Sequence, residues 1–393
     1  MLDLNKEYGI VLEGGGAKGA YQIGVWKALK ESGVKIKGIA GVSVGALNGA
    51  LICMDDIALA EEIWTNIKYS QIMDVDDVEM HHLMKRELTK LNLGKITKTS
   101  AKAVTSGGID NTPLRNLIES HVDEKKVKES GIDFVMGTLN LSELKGMEIE
   151  ARSLEDGELK EYLVASASLP VFKSEKYQGK TYLDGGMVNN VPVDMLINRG
   201  YDEIIVIRIY GIGVEKKVTI PEGVHVQEIS PRVDLGSILE FDSKKTRRNI
   251  KIGYYDGMRL IHDLKGKIYY LSEVQSEREH INRFLAMSTE CKRAWLEYMK
   301  EDSSEEECHD RKILSMVLPM VAEKLTLSKN WTYTELYLSM LELAAKELKV
   351  LKYRIYTEED FCQTIVQCRE EAAFWQPNDQ FVSLVLTTIC STN

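Results

Sequence analysis

The sequence predicts an α/β fold with a mostly parallel sheet. The prediction rests on two successive units, each a short apolar strand, a glycine-rich turn and a helix. Residues 8–13 are the first strand, the run 14–19 is its turn, and a helix follows over 20–32. Residues 36–40 are the second strand, and the turn at 41–45 opens a helix rich in small residues. Successive units of this kind bring their turns to neighbouring strand ends of one parallel sheet.

Small residues mark one face of the first predicted helix. Ala20, Gly24 and Ala28 recur every four positions, so this face is nearly bare backbone and we expect it to pack tightly against the sheet. His225 is expected on a further, buried strand. Beyond residue 271 the pattern predicts helices only. The other predicted strands lie at residues 134–140, 147–152, 204–209 and 267–271.

The chain has 393 residues, which is enough for more than one domain. We predict a catalytic domain over residues 1–275, then a helical connector with an acidic linker over 276–310. Residues 311–393 are expected to form a small helical C-terminal unit. That unit carries no chemical motif. A partner-binding module, a lid and a plain structural extension all fit it.

Composition excludes some classes of function. The net charge of −10 argues against a nucleic-acid-binding protein, which would be basic. The six cysteines form no C-x-x-C pair, and His309 beside Cys308 is too little for a metal site. No stretch is apolar enough for a signal peptide or a bilayer span. We therefore expect a reduced, cytoplasmic protein. Peripheral contact with the inner membrane surface is compatible with the basic cluster at residues 244–251, although we expect that cluster to be a solvated helix face.

The turn Gly41-Val42-Ser43-Val44-Gly45 is a candidate nucleophile site. A Gly-x-Ser-x-Gly between a strand and a helix lifts the serine hydroxyl out of a sharp turn. The glycines allow the strained backbone and the close approach of its neighbours. The following helix directs its amides and its positive dipole end toward the serine. Alone, the motif is weak.

Two functional interpretations fit the run Gly14-Gly15-Gly16-Ala17-Lys18-Gly19. Amides of successive glycines can converge on one point, as an oxyanion hole requires. The same letters match the dinucleotide-binding pattern, which also needs an acidic residue at the end of the next strand. That strand ends Ile39-Ala40-Gly41, so the cofactor reading lacks its partner. Lys18 could face a phosphate or the oxyanion, or simply be an exposed residue at the start of the helix.

Asp184-Gly185-Gly186 is the third candidate motif. An aspartate in such a turn commonly bonds its own backbone. A serine nucleophile, however, needs a base to accept its proton. A carboxylate can serve when it is near the serine and partly desolvated, because desolvation raises its pKa. Asp184 is therefore the candidate base for Ser43.

Together the three motifs resemble the patatin-like phospholipase family in type, order and spacing. Smaller stretches agree as well: residues 165–170, which read ASASLP, and residues 189–192, which read NNVP. The resemblance covers about residues 8–271. Three positions depart from it. The family loop usually has Asp and Arg where Glu13 and Lys18 stand, and many members have Ala where Gly186 stands, which should matter little. Lysine keeps the charge but lacks the planar fork of arginine.

The resemblance implies a three-layer α/β/α fold and a lipid acyl hydrolase acting on phospholipid or lysophospholipid. It implies a Ser43–Asp184 dyad without histidine, an oxyanion hole from Gly14, Gly15 and Gly16, and neither cofactor nor calcium. A transacylase with the same dyad and the dinucleotide-binding protein remain as alternatives. A Ser–Asp–His triad would need a histidine after Asp184. The histidines weighed for that role are His225, His262, His280 and His309.

Overall fold

The structure is a computed structural model that describes residues 1–87, 108–173, 176–301, 303–304, 309–372, 377 and 379–392. It divides into two units, Met1–Ile261 and His262–Asn393. Residues 262–275, which the sequence assigned to the catalytic domain, group here with the C-terminal unit. The three-part division at 275 and 310 stays a prediction, and most of the acidic linker at 303–307 lies outside the described residues.

One sheet organises the N-terminal unit. In the described residues its strand order is β5-β6-β3-β2-β1-β7-β8, and β4 pairs with β3 as well. The neighbours from β3 through β2, β1 and β7 to β8 are parallel, whereas β4 and β6 run antiparallel to β3. The strands are β1 (Glu7–Leu12), β2 (Lys35–Val42), β3 (Asp133–Asn140), β4 (Lys145–Glu150), β5 (Lys176–Tyr177), β6 (Lys180–Asp184), β7 (Glu203–Ile207) and β8 (His225–Ile229).

Helices cover both faces of this sheet. Val11, Ala40 and Val135, which are register partners on the neighbouring strands β1, β2 and β3, pack against the short helix after residue 192. On the opposite face, a Cβ at Gly49 would lie 2.7 Å from the Phe134 ring. The predicted α/β fold with three layers is thereby confirmed. The helices are α1 (Ala20–Glu31), α2 (Val44–Cys53), α3 (Ile57–Asn66), α4 (Asp77–Glu87), α5 (Thr112–His121), α6 (Glu124–Glu129), α7 (Glu158–Ser166), α8 (Val193–Ile197) and α9 (Ser243–His262).

The small-residue face of α1 packs against a helix, not against the sheet as predicted. A Cβ on Gly24 would lie 1.9 Å from the carbonyl oxygen of Ile250, and one on Gly253 would lie 2.0 Å from that of Tyr21. The two backbones approach this closely because both α1 and α9 present glycines at the crossing. The Tyr21 hydroxyl adds a hydrogen bond of 3.0 Å to Asp256.

The C-terminal unit is mostly helical but includes two strands. β9 (Tyr270–Ser272) pairs in parallel with β10 (Ile355–Thr357), so the prediction of helices only beyond residue 271 was wrong. The missed strand is three residues long and gives no usable periodicity. The helices are α10 (Glu277–Leu285), α11 (Thr289–Tyr298), α12 (His309–Lys312), a π-helical turn (Ile313–Val317), α13 (Leu318–Lys324), α14 (Tyr333–Glu347), α15 (Glu358–Glu371) and α16 (Gln380–Thr392).

Candidate active site

The register of the sheet brings two strand ends together. β2 pairs with β3 as far as Val42, which lies opposite Gly137, and β6 ends at Asp184, opposite the next β3 residue, Thr138. Because β4 pairs along the other edge of β3, β2 and β6 share one edge. Ser43 follows Val42 directly. The serine and the aspartate therefore sit at facing strand ends beside one point of β3.

Ser43 occupies a strained turn between β2 and α2. Its φ of 55° and ψ of −128° lie in a region that residues with a side chain rarely adopt. The turn is also crowded: a Cβ on Gly41 would lie 2.4 Å from the carbonyl oxygen of Gly45, and one on Gly45 would lie 2.2 Å from that of Leu12. Close backbone contacts thus require both glycines of the motif.

One short segment holds the backbone of both candidate residues. The N–H of Ser43 donates to Ser166 Oγ at 3.0 Å, and that hydroxyl donates to the Gly137 carbonyl at 2.7 Å. The carbonyl of Ser168 accepts the N–H of Asp184 at 2.8 Å. These contacts give the ASASLP stretch a physical role, since it fixes the serine turn and the aspartate to the same strand.

The Asp184 carboxyl group is buried and incompletely hydrogen-bonded. Burial raises its pKa to about 6, while the Ser43 side chain and the Gly186 amide favour the ionised form. Oδ1 accepts the N–H of Gly186 at 2.8 Å. Oδ2 is buried and has no hydrogen-bond partner among the described residues. The carboxyl therefore retains an acceptor position next to the serine, together with a pKa suited to proton transfer near neutral pH.

The glycine loop lies directly against the serine turn. A Cβ on Gly14 would lie 3.2 Å from the Cβ of Ser43, and one on Gly16 would lie 2.1 Å from the carbonyl oxygen of Ile238. Gly16 also has a φ of +54°, which glycine adopts without strain. The loop can thus approach the serine only with bare backbone.

Gly14 differs from its neighbours in the use of its amide. Its N–H donates to the carbonyl of Asn190 at 3.2 Å, so the predicted role of Gly14 as an oxyanion donor is not supported. The amides of Gly15 and Gly16 donate to no other group in the described part of the chain. Gly14 instead joins the loop to the stretch after Asp184, and Asn190 Nδ2 returns a bond of 3.0 Å to its carbonyl.

Glu13, which directly precedes the glycine loop, bonds to the segment after β7. Its buried carboxylate accepts the N–H groups of three consecutive residues, Ile209 at 2.6 Å, Tyr210 at 3.0 Å and Gly211 at 3.0 Å. The Arg208 Nε donates a further bond of 3.0 Å. A longer acidic side chain at this position reaches the segment after β7. The glutamate at position 13, where the family usually has aspartate, therefore has defined hydrogen-bond partners in this structure.

Lys18 takes neither of the two positions considered for it. Its Nζ donates to the carbonyl of Tyr210 at 2.7 Å, on the segment that Glu13 also holds. Burial lowers its pKa, although nearby Asp234 and Glu13 act in the opposite direction. The side chain is half-buried and committed to a backbone carbonyl, which assigns it to positioning that segment.

An apolar pocket opens at Ser43 and Gly16. It lies among α2, α3 and α5, and its polar lining side chains include Ser43, Asn48 and His121. Such a pocket suits a hydrocarbon chain and offers little to a charged cofactor. Its apolar walls include Leu47, Leu51, Ile63, Leu114, Leu117, Ile118, Phe172, Ile238 and Phe241.

The four histidines considered for a triad differ in exposure and in the unit to which they belong. His225 is exposed on β8, so the expectation that it is buried was wrong, and His262 is exposed as well. His280 and His309 belong to the C-terminal unit. None of the four is among the described residues that line the Ser43 pocket. His121 does line it, but its Nδ1 contacts a helix carbonyl and a neighbouring serine hydroxyl.

Comparison with known proteins agrees with this geometry. The sequence model of the family described as patatin-like phospholipase matches residues 10–197, which contain all three motifs. The part of this chain that carries the three motifs is therefore similar to the patatin-like phospholipase family. The predicted resemblance is thereby confirmed for the part of the chain that forms the site.

Relatives of this patatin-like domain are much longer proteins. The chain is 29% identical over 199 residues to patatin-like phospholipase domain-containing protein ZK370.4 of Caenorhabditis elegans, covering 49% of this chain and 13% of that protein. It is 28% identical over 202 residues to neuropathy target esterase sws of Drosophila melanogaster, covering 51% and 12%. Lysophospholipase nte1 of Aspergillus niger is 28% identical over 209 residues, covering 53% and 12%. The chain spans about an eighth of these relatives.

Two solved structures are similar over most of the chain, at low identity. VipD from Legionella pneumophila is 16% identical with a TM-score of 0.42, covering 96% of this chain and 90% of that one. The type III effector ExoU is 13% identical with a TM-score of 0.33, covering 96% and 77%.

A buried polar network connects α2 to the glycine loop, and it was not predicted from the sequence. Asn48 on α2 donates to the Gly19 carbonyl at 3.0 Å and to Gln22 at 2.8 Å, and accepts from the Trp64 indole at 3.0 Å. Gln22 in turn donates to the Glu13 carbonyl at 2.7 Å. The network locks both ends of the glycine loop to α2. A polar residue inside the otherwise apolar start of α2 was its only sequence signal.

Proposed function

We propose that the chain is a lipid acyl hydrolase of the phospholipase A or lysophospholipase type, with an acyl-enzyme formed on Ser43. The observation that carries the proposal is the β3 register, which brings Ser43, a lining residue of the apolar pocket, and the buried Asp184 carboxyl to adjacent strand ends. The similarity of residues 10–197 to the patatin-like phospholipase family supports a lipid ester as the substrate.

In the first step Ser43 Oγ attacks the carbonyl carbon of the ester. The ionised Asp184 carboxylate accepts the hydroxyl proton as the new C–O bond forms, and the carbonyl electron pair moves onto oxygen. The amides of Gly15 and Gly16 are the donors we assign to this oxyanion, because Gly14 is already bonded to Asn190. When the carbonyl re-forms, the ester C–O bond breaks and the leaving alcohol takes the proton from Asp184.

In the second step water replaces the alcohol. Asp184 accepts a proton from the water as its oxygen attacks the acyl-enzyme, and the second tetrahedral intermediate uses the same two amides. Its collapse releases a fatty acid and returns the proton to Ser43. An acyl acceptor other than water would make the enzyme a transacylase, which stays a prediction. Dinucleotide binding gains no support, since the pocket beside the glycine loop is apolar.

The proposal is tested by acyl-ester hydrolysis with matched variants. Ser43→Ala and Asp184→Asn should each lower kcat/KM on a short soluble ester by at least about 10³-fold, because each removes a group that moves in the transition state. Ser315→Ala and Asp202→Asn change exposed residues and should stay within about twofold of wild type. A fluorophosphonate probe should modify Ser43, located by peptide mass spectrometry. Full hydrolysis by Ser43→Ala, or modification of another serine, would refute the mechanism.

A further inference from the structure

A five-residue segment next to the active site alternates between glycine and large apolar side chains. The rim segment, residues 210–214, reads Tyr-Gly-Ile-Gly-Val. Its glycines face the catalytic loops: a Cβ on Gly211 would lie 1.8 Å from the carbonyl oxygen of Gly14, and one on Gly213 would lie 2.7 Å from that of Gly186. Only glycine fits at either inward position.

The alternate residues of the rim segment face solvent. Tyr210, Ile212 and Val214 are 52%, 63% and 50% exposed, and Met187 beside the Asp184 turn is 47% exposed. Single exposed apolar residues are common on protein surfaces, but a cluster of them marks a contact surface. This cluster lies on the outer side of the loops that carry Gly14 and Gly186.

The rim segment is firmly held. Besides the Tyr210 and Gly211 amide bonds to Glu13 and the Lys18 bond to the Tyr210 carbonyl, the N–H of Val214 donates to the Gly186 carbonyl at 2.8 Å. The Val214 carbonyl accepts the N–H of Asn190 at 2.6 Å. Because these bonds fix the backbone of the rim segment, its apolar side chains cannot turn inward and pack in the core. Their exposure is therefore a property of the fold.

We propose that the rim segment and Met187 form the surface by which the active site docks on aggregated lipid. This inference rests on the proposed function, because a lipid ester presents its acyl chains within a micelle or bilayer. After Glu215, which pairs with Arg208 at 2.9 Å, the chain continues with the exposed Lys216 and Lys217. The Lys216 ammonium also lies 3.5 Å from the Asp194 carboxylate. Ammonium groups beside inserted apolar side chains suit the phosphate level of a lipid surface. With a net charge of −10, attraction to such a surface has to come from local chemistry of this kind.

Vesicle binding and soluble-ester hydrolysis, measured side by side, test the docking surface. The test variant is Ile212→Ser with Val214→Ser, which leaves all backbone bonds of the rim segment in place. The control is Leu351→Ser, a side chain of similar size that is 74% exposed in the C-terminal unit. The probe is a vesicle of phosphatidylcholine with phosphatidylglycerol, and co-flotation reports binding.

We expect the double variant to lose at least about tenfold in vesicle binding and in kcat/KM on vesicle phospholipid. Its hydrolysis of a short soluble ester should stay within about twofold of wild type, and Leu351→Ser should match wild type in all three assays. Equal vesicle binding by wild type and double variant would overturn the inference. So would a wild type that fails to bind vesicles, or one that dimerises through this surface instead.

The outcome for the docking surface is separate from that for the proposed function. If wild type fails to hydrolyse the soluble ester, the proposed chemistry is wrong. The flotation result still decides whether these side chains bind lipid, because it requires no turnover.

Discussion

Asp184 in the N-terminal unit and Glu342 in the C-terminal unit are both buried carboxylates, but their oxygens have different partners. One oxygen of Glu342 accepts the N–H groups of three consecutive residues, Lys267, Ile268 and Tyr269, at 2.7–2.9 Å. Asp184 accepts one backbone amide, and its second oxygen has no partner in the described residues. The first carboxylate is supported in its charged form, whereas burial raises the pKa of the second to about 6.

The same contrast distinguishes a structural carboxylate from the candidate base within the N-terminal unit. Glu13 lies near Ser43, yet its carboxylate is bonded like that of Glu342, by three consecutive amides. A carboxylate that accepts several consecutive backbone amides fixes the position of the segment that donates them, so it serves as an anchor. A buried carboxylate with few hydrogen-bond donors lowers the free energy of unfolding and accepts a proton more readily. Location near the nucleophile alone does not distinguish the two.

The largest expected effect is an opposite change in stability for two neutralising substitutions. Asp184→Asn should stabilise the N-terminal unit at pH 8 by up to about 3 kcal/mol, because ionising a carboxyl whose pKa is raised by about two units opposes folding. Glu342→Gln should destabilise the C-terminal unit by about 2–3 kcal/mol, because a charged acceptor is lost from three amides. Hydrogen exchange read by mass spectrometry reports each unit separately.

The pH dependence of the Asp184→Asn effect has a definite sign. A raised folded-state pKa means that the protonated carboxyl is favoured in the fold. Its contribution to stability is fully present below about 4 and is lost as pH rises through about 6. The gain from Asp184→Asn should therefore be small at pH 4 and reach its plateau above pH 7. Two substitutions that shift protection in the same direction would contradict the comparison.

A smaller effect is expected from paired glycine substitutions. Gly16 and Gly33 both have positive φ, +54° and +75°, but a Cβ would lie 2.1 Å from the Ile238 carbonyl oxygen at Gly16 and would meet nothing within 4 Å at Gly33. Gly33→Ala should cost about 1 kcal/mol of stability and leave kcat/KM within about twofold. Gly16→Ala should lower kcat by about 100-fold, because the loop must move its amides away from the oxyanion.

This pair is informative because the backbone strain is common to both variants. Initial rates on a soluble ester, measured with the folded fraction checked by circular dichroism, separate lost donors from lost protein. If Gly16→Ala keeps its turnover while folding normally, the glycine loop does not supply the oxyanion donors.

The sequence was most informative where short-range chemistry decides the structure. The turn at 41–45 and the glycine loop could be predicted because each follows a short apolar strand and precedes a helix, a pattern contained in one short stretch of sequence. The pairing of Asp184 with Ser43 was predicted only because a serine nucleophile needs a base. The physical reason that they meet is their shared neighbour β3, through Gly137 and Thr138, and strand pairing at that distance leaves no local signal.

What could not be predicted depends on contacts between distant segments. The Gly14 amide bonds to Asn190, and Glu13 bonds to residues 209–211. Both partners lie far along the chain, on loops with no regular pattern. The sequence did contain one signal that was not used: the carboxylate of Glu13 directly follows the apolar residues Ile10, Val11 and Leu12 at the end of β1. A buried charge there has to find donors, and it finds them in consecutive amides.

The smallest expected effect is the pH dependence of hydrolysis itself. In the proposed mechanism Asp184 accepts the Ser43 proton as a carboxylate. Because burial raises the pKa of Asp184 to about 6, kcat/KM on a soluble ester should rise about tenfold between pH 5 and pH 7. A histidine base would give a similar midpoint, so the profile has to be recorded at several temperatures. Carboxyl ionisation has a small enthalpy, whereas imidazole ionisation has a large one. A midpoint that stays fixed on warming identifies the carboxyl. A midpoint that falls steeply would make an imidazole the base, and Asp184 would then join Glu13 and Glu342 as an anchor despite its unpartnered oxygen.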